Sequence, residues 1–271
     1  MYKNVDDSMD KMDSNKSSIA ECEIFDFMAN HLGLTVIHPG GLKATQKLED
    51  TLKINSATKI LDIACGKGST AFYLAEKYGC SVVGIDISEK LIQEANDTCR
   101  KKKLNNQVKF LVGNAMNLPF EDNEFDVAIS QGILVFVDDK IKTINEASRV
   151  IKNGGKAGWI ELSWKKEPDK EFLDKVFNIL HAFCLKNART YEEWTKVFKK
   201  ANIHDLVTIK GEKITGNFFD TLKEEGLLNT LKIMFNSFKN SEIRNRMKEM
   251  GKFIEENHNY FGYGVYVIQK T

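Results

Sequence analysis

Residues 59–88 read KILDIACGKGSTAFYLAEKYGCSVVGIDIS, and this stretch decides the fold. Ile60, Leu61 and Ile63 form a short apolar run suited to a strand buried on both faces. Gly66 and Gly68 follow, and the spacing then predicts a helix over 69–78. Val82 to Ile85 make a second strand that ends at Asp86. A strand turning sharply into a helix needs backbone torsions that glycine adopts at least cost, and a missing side chain lets a ligand lie against the chain. The helix start beyond the turn offers unpaired N–H groups. An acid at the end of the second strand can accept two hydrogen bonds from ribose hydroxyls.

Gly66-Lys67-Gly68-Ser69-Thr70-Ala71 satisfies the dinucleotide form G-x-G-x-x-G/A, and Asp86 falls about 20 residues on. NAD is therefore one reading. Asp62 opposes it, because a carboxylate just before the turn would repel a pyrophosphate. S-adenosylmethionine carries an ammonium and a sulfonium and no phosphate, so Asp62 favours it. D-x-x-x-G-x-G followed by the Asp of GIDIS resembles the class I S-adenosylmethionine-dependent methyltransferases.

The resemblance covers about 37–210 and resumes at the last strand. It implies an α/β, Rossmann-like fold with a roughly seven-stranded, mostly parallel sheet between helices. It further implies methyl transfer to a small-molecule acceptor by in-line displacement, with S-adenosyl-L-homocysteine as product. Cofactor contacts are then expected from Asp62, Ala64, Gly66, Gly68, Asp86 and Ile87, and from Asn114, Ala115 and Met116 after the third strand (108–112). Asn114 stands where the family's Gly-Asp-Ala turn carries its acid; its amide can still accept from an adenine amine. Ser130 and Gln131 end the fourth strand, where the methyl group should emerge. IHPGGLKAT (37–45) resembles the glycine-pair segment of phosphoethanolamine- and sterol-type methyltransferases, which implies that Ile37, His38 and Gly41 lie near the cofactor. The bare helix start after Gly40-Gly41 suits a carboxylate, and a plain helix N-terminus accounts for the glycines equally. Some phosphoethanolamine enzymes carry a histidine where Phe136 stands, so their proton-abstraction scheme does not transfer here.

Outside this core, residues 1–16 lack periodicity and are expected to be disordered. A helix is expected over 17–32, with Ser17 or Ser18 and Glu21 resembling a capping box. With 42–52 it forms a cofactor-covering N-terminal part (17–52) of a single methyltransferase domain (17–271). Helix 138–151 should end at Asn153-Gly154-Gly155 and a fifth strand should run over 156–164. Trp159 and Trp164 there can stack on substrate or pack in the core. An apolar helical series from Phe218 to Phe238 forms an insertion (213–258) ahead of the last strand, 260–268. It either caps a substrate pocket or makes an oligomer interface. His38, Glu161 and Tyr191 are candidates for a general base, and no residue is assigned as catalytic.

The 271 residues are 42% hydrophobic and 28% charged, with a net charge of +1, so charge suggests no nucleic-acid partner. No apolar run reaches membrane-span length and the N-terminus is not signal-like, which makes the cytoplasm the expected location. The five cysteines show no C-x-x-C pair, which argues against a disulfide framework and against a zinc site. An NAD-dependent oxidoreductase and a non-catalytic cofactor-binding module remain the alternatives, and the oligomeric state is open.

Overall fold

A computed structural model describes residues 22–201, 205–215 and 218–271. The expected disorder of 1–16 and the capping box at 17–21 lie outside the described residues.

The first strand, β1 (Lys59–Ile63), is buried almost throughout. It leads through the glycine turn into α3 (Ser69–Tyr78) and back to β2 (Ser81–Asp86). Helix α4 (Glu89–Lys102) starts at Ser88, whose Oγ accepts from Leu91 N, and ends in Arg100, Lys101 and Lys102. Cations there complement the helix dipole. Strands β3 (Val108–Val112) and β4 (Phe125–Gln131) follow, then α5 (Lys140–Val150) and β5 (Ile151–Trp164). Helix α6 (Lys170–Leu180), a 3-10 turn (Phe183–Asn187) and the two-residue β6 (Arg189–Thr190) lead to α7 (Tyr191–Lys200). Strand β7 (Asp205–Gly211), helices α8 (Phe218–Lys239) and α9 (Ser241–Glu256), and β8 (Phe261–Gln269) complete the chain. At the N-terminal side, α1 (Glu23–Asp26) runs into a π-helical turn (Phe27–Leu32), and α2 (Gly41–Leu52) precedes β1.

The sheet order is β3-β2-β1-β4-β5-β8-β7, with β6 paired to β5 off that path. β3, β2, β1, β4 and β5 are parallel, and β8 runs antiparallel between β5 and β7. The chain leaves β1 toward β2 and β3, then returns to lay β4 on β1's other edge. That reversal opens a crevice beyond the carboxyl ends of β1 and β4, where open α/β sheets take ligands.

Aromatic side chains fill the far half of the core. Trp159 lies 5.1 Å from Phe198, which stacks on Tyr266 at 4.8 Å. Trp194 donates from Nε1 to Leu162 O at 2.9 Å. Trp159 and Trp164 are both buried in this core, which settles their fate as packing. A Thr190–Glu193 capping box starts α7.

Three expectations need correction. Gly154-Gly155 does not precede β5 but lies inside it: Gly154 N donates to Lys270 O at 2.7 Å and Lys270 N to Gly155 O at 2.9 Å. The register shift between Phe125 and Val127 absorbs the extra residues as a bulge. The apolar series of the insertion is broken at Gly226, where φ is 73° and ψ 165°. Cys22 and Cys184, 162 residues apart, are joined as a disulfide, which fastens the N-terminal segment to the 3-10 turn.

Candidate active site

A cavity of about 670 Å³ opens at the crevice. The glycine turn forms its floor. Ala64, a non-glycine residue, takes φ +60° there, a strained conformation for an L-residue. The two glycines divide the work. A Cβ on Gly66 would meet nothing within 4 Å, and Gly66 lines the cavity. A Cβ on Gly68 would come within 2.4 Å of the Phe110 ring, so Gly68 serves the packing of α3 on the sheet.

Asp62 and Asp86 stand at the ends of β1 and β2. Asp86 Oδ2 accepts from Gly66 N and Oδ1 from Ser88 N, both at 2.9 Å. Burial pushes the Asp86 carboxyl up, against the pull of those N–H groups. Asp62 is buried and its Oδ2 has no partner. Burial first, then the nearby Asp86 charge, raises Asp62 to about 8. An orphaned carboxylate oxygen at a cavity wall fits a cationic ligand group. The residues present therefore suit the ammonium and ribose of S-adenosylmethionine. Asn114, at the end of β3, uses its Oδ1 to accept from Met116 N at 2.8 Å, which leaves its NH₂ as the half of the amide free for a base.

At the end of β4 a short polar chain crosses the floor. Thr70 Oγ1 donates to Gln131 Oε1 at 3.2 Å, and Thr45 Oγ1 lies 3.2 Å from His38 Nε2. Gln131 Nε2 is buried without a partner. Burial holds the His38 imidazole down to about 4, so it is neutral at ordinary pH. The far end of the cavity is apolar: Phe25, Ile133, Phe136 and Val137 line it, with Phe25 edge-on to Phe136 at 5.0 Å.

The segment 22–38 closes the cavity from above. Lys67 Nζ donates to Ala29 O and Ser69 Oγ to Thr35 O, both at 2.9 Å. Glu225 accepts from Thr35 N at 2.7 Å and from Val36 N at 3.0 Å. Asn229 Nδ2 donates to Gly33 O at 3.1 Å. The insertion thus clamps this lid from outside, and none of its described residues lines the cavity, contrary to a direct pocket-shaping role.

Of the expected cofactor contacts, Ile37, His38, Asp62, Ala64, Gly66, Asp86, Ile87, Asn114, Ala115 and Gln131 line the cavity. Gly41, Gly68, Met116 and Ser130 do not. The bare helix start after Gly41 is taken by the protein itself, since Leu42 N donates to Glu224 Oε1 at 2.8 Å. Ser130 is fully buried in β4. Among the base candidates only His38 reaches the cavity. Glu161 is buried beneath the loop after β4 and accepts from Ile133 N and Leu134 N, and Tyr191 donates to Gly211 O. Thr35, Val36 and Thr70 line the cavity without having been expected. Thr70 sits four residues past Gly66, in the first turn of α3, and that spacing was the available signal. The Cys65 thiol also lines the cavity, but burial pushes it well up, away from nucleophilic chemistry.

Comparison with known proteins agrees with this geometry. A family profile described as a methyltransferase domain matches residues 61–158. An uncharacterized protein of Haemophilus influenzae is 30% identical over 82% of this chain and 88% of its own length. Demethylmenaquinone methyltransferase of Listeria welshimeri is 32% identical over 59% of this chain and 67% of its own. Among solved structures, phosphoethanolamine N-methyltransferase 2 of Haemonchus contortus, in complex with phosphomonomethylethanolamine and S-adenosylhomocysteine, superposes with a TM-score of 0.71 at 20% identity. That superposition covers 91% of this chain and 57% of the Haemonchus one, so this chain spans just over half of that enzyme. None of these relatives supports the NAD reading. The crevice at β1 and β4, the orphaned Asp62 and these relatives agree, and the chain belongs to the class I S-adenosylmethionine-dependent methyltransferases.

Proposed function

We propose that this methyltransferase acts on a small, mainly apolar or aromatic acceptor held between Phe25, Ile133, Phe136 and Val137. What carries the reading is the composition of that end of the cavity. Its lining lysines, Lys67 and Lys90, belong to the glycine turn and to the first turn of α4, on the cofactor side. Lys67 is already engaged by Ala29 O and Glu94. At the four apolar residues a phosphorylated amine would therefore find no cation in the cavity lining, since Lys140, whose Nζ donates to Val137 O at 3.1 Å, does not line it. Bound S-adenosylmethionine supplies an activated methyl group with a neutral thioether as leaving group.

The chain's own residues then bind and place. Asp62 pairs with the cofactor's ammonium, Asp86 accepts from its ribose, and Asn114 with Ala115 receives its adenine. Neutral His38 and the free Nε2 of Gln131 hydrogen-bond the acceptor's polar atom. Holding the reactants in line is worth on the order of 7–11 kcal/mol, enough for most of such a reaction's acceleration. A cytoplasmic location, where the cofactor is made, belongs to the same reading.

The test is transfer of labelled methyl from S-adenosylmethionine to a panel of phenols, hydroquinones, aliphatic amines and phosphobases. Methylation of phenolic or hydroquinone acceptors, weakened by Phe136→Ala, is expected. Turnover of phosphoethanolamine with no turnover of the apolar acceptors would sink the reading.

A further inference from the structure

Helix α8 is inside out. Beyond Gly226, Leu227, Leu228, Leu231, Met234, Phe235 and Phe238 are all at least half exposed, Leu228 by 85% and Phe238 by 82%. At 100° per residue these six fall within an arc of about 120°. The opposite side, which faces the protein, is largely polar. Asn229 donates to Gly33 O and Asn236 to Leu32 O, Thr230 is buried, and Ser237 donates to Ile233 O. The inward hydrogen bonds fix the helix's rotation, so the apolar arc is not a core face waiting to turn in. From the exposures, the patch is on the order of 800 Å², above the few hundred that soluble monomers usually leave open.

One edge of the arc is cationic. Lys232 and Lys239 both border it on the Leu228 side, with Lys239 Nζ 5.7 Å from the centre of the Phe235 ring. Arg244 closes its C-terminal end, donating to Phe238 O at 3.0 Å. No carboxylate occurs from residue 227 to 239. The insertion's acids that precede Gly226 are turned inward: Asp220 pairs with Lys43, Glu224 caps α2, and Glu225 holds the lid, while Glu242, past the end of the arc, is exposed. Leucine, phenylalanine and methionine on one arc with lysine at its edge is the pattern of a helix that lies in the plane of a bilayer surface. Among the described residues no helix is long and apolar enough to cross one.

We propose that α8 docks this enzyme on an anionic phospholipid surface, its apolar arc seated among the acyl chains and Lys232, Lys239 and Arg244 against the headgroups. Docking of this kind needs both halves of the pattern. The rings supply the binding energy, and the cations supply a preference for anionic lipid that salt screens.

The experiment is co-sedimentation of the full chain with phosphatidylcholine vesicles, with and without phosphatidylglycerol, at low and high salt. Binding to the phosphatidylglycerol vesicles, weakened by salt, is expected. Phe235→Ser with Phe238→Ser should weaken it by about tenfold or more. Lys232→Glu with Lys239→Glu should remove the preference for anionic vesicles. These side chains are exposed, so unchanged thermal unfolding and cofactor affinity are expected and exclude misfolding as the cause. Failure to sediment with anionic vesicles overturns the proposal, as does binding that the phenylalanine substitutions leave intact. A dimer seen by light scattering and dissolved by those substitutions, without vesicle binding, would assign the face to a second copy of the chain.

Discussion

The Gly66 N–H donates to Asp86 Oδ2 at 2.9 Å, tying the turn after β1 to the acid that ends β2. The bond makes Asp86 a support of the turn as well as a ligand group. Asp86→Ala should therefore cost more than a ribose contact alone. The expected loss of S-adenosylhomocysteine affinity is about 1–3 kcal/mol, with Asp86→Asn losing less because its amide oxygen still accepts from Gly66. Calorimetric titration of both variants measures it, and equal losses would remove the supporting role.

Asp62 makes binding depend on pH. Its folded carboxyl lies at about 8, above its ordinary value, because it is buried next to Asp86. The empty protein thus holds a proton that the unfolded chain has lost, and stability contributed by that proton falls as pH rises from about 4 to 8. A cationic ligand favours the ionised form. Cofactor binding at pH 7 should release up to about one proton. Titrations in buffers of different ionisation heat read that number directly, and Asp62→Asn should abolish it while weakening affinity.

Glu161 has the same sign of linkage in a different place. Burial pushes it up to about 8, although Ile133 N and Leu134 N donate to Oε1. Its Oε2 is buried and unpartnered. Glu161→Gln keeps the acceptor and removes the ionisation, so the variant should match the parent in stability at about pH 4 and exceed it increasingly as pH rises to about 8. Glu161→Leu leaves two N–H groups unpaired and should cost about 1–3 kcal/mol for each. Thermal melts across pH distinguish the two.

Glu225 is the principal anchor of the lid, taking Thr35 N, Thr35 Oγ1 and Val36 N. Glu225→Ala should leave the sheet intact and speed release of S-adenosylhomocysteine by about tenfold, the kinetic mark of a loosened lid. Stopped-flow dissociation reads it, and an unchanged rate would mean the lid is held without Glu225.

The Cys22–Cys184 link predicts three titratable thiols in the unreduced, denatured protein, from Cys65, Cys80 and Cys99, and five after reduction. Cys184→Ser should lower stability by about 2–4 kcal/mol under oxidising conditions and by far less in reductant.

Local signals were legible in the sequence and distant ones were not. The bounds of β1, α3 and β2 follow from glycines and apolar runs that lie within thirty residues of each other. Gly41 read as a ligand site because its partner, Glu224, lies 182 residues from Leu42, and spacing carries no trace of such a pairing. The pairing of Cys22 with Cys184 was hidden for the same reason. Gly154-Gly155 read as a helix stop, since a pair of glycines marks a bulge and a break alike. In α8 the periodicity showed an apolar face, but not that the polar side turns inward. Only the lid carbonyls that Asn229 and Asn236 reach reveal the orientation.

Most hydrogen bonds that fasten the lid grip its main chain. Lys67 takes Ala29 O, Ser69 takes Thr35 O, Asn229 takes Gly33 O, Asn236 takes Leu32 O, and Glu225 takes two amides. The side-chain fastenings are the Cys22–Cys184 disulfide, the Thr35 hydroxyl on Glu225 and the ion pairs of Glu23 with His181 and Arg246. Those main-chain hydrogen bonds do not depend on the lid's side chains, whereas Cys22, Ile24, Phe27 and Leu32 hold the lid through buried side chains. Positions such as Phe25 can change in size or polarity without releasing the latch. A chain built this way can acquire a new acceptor by substitutions in the lid while its cofactor end stays as it is.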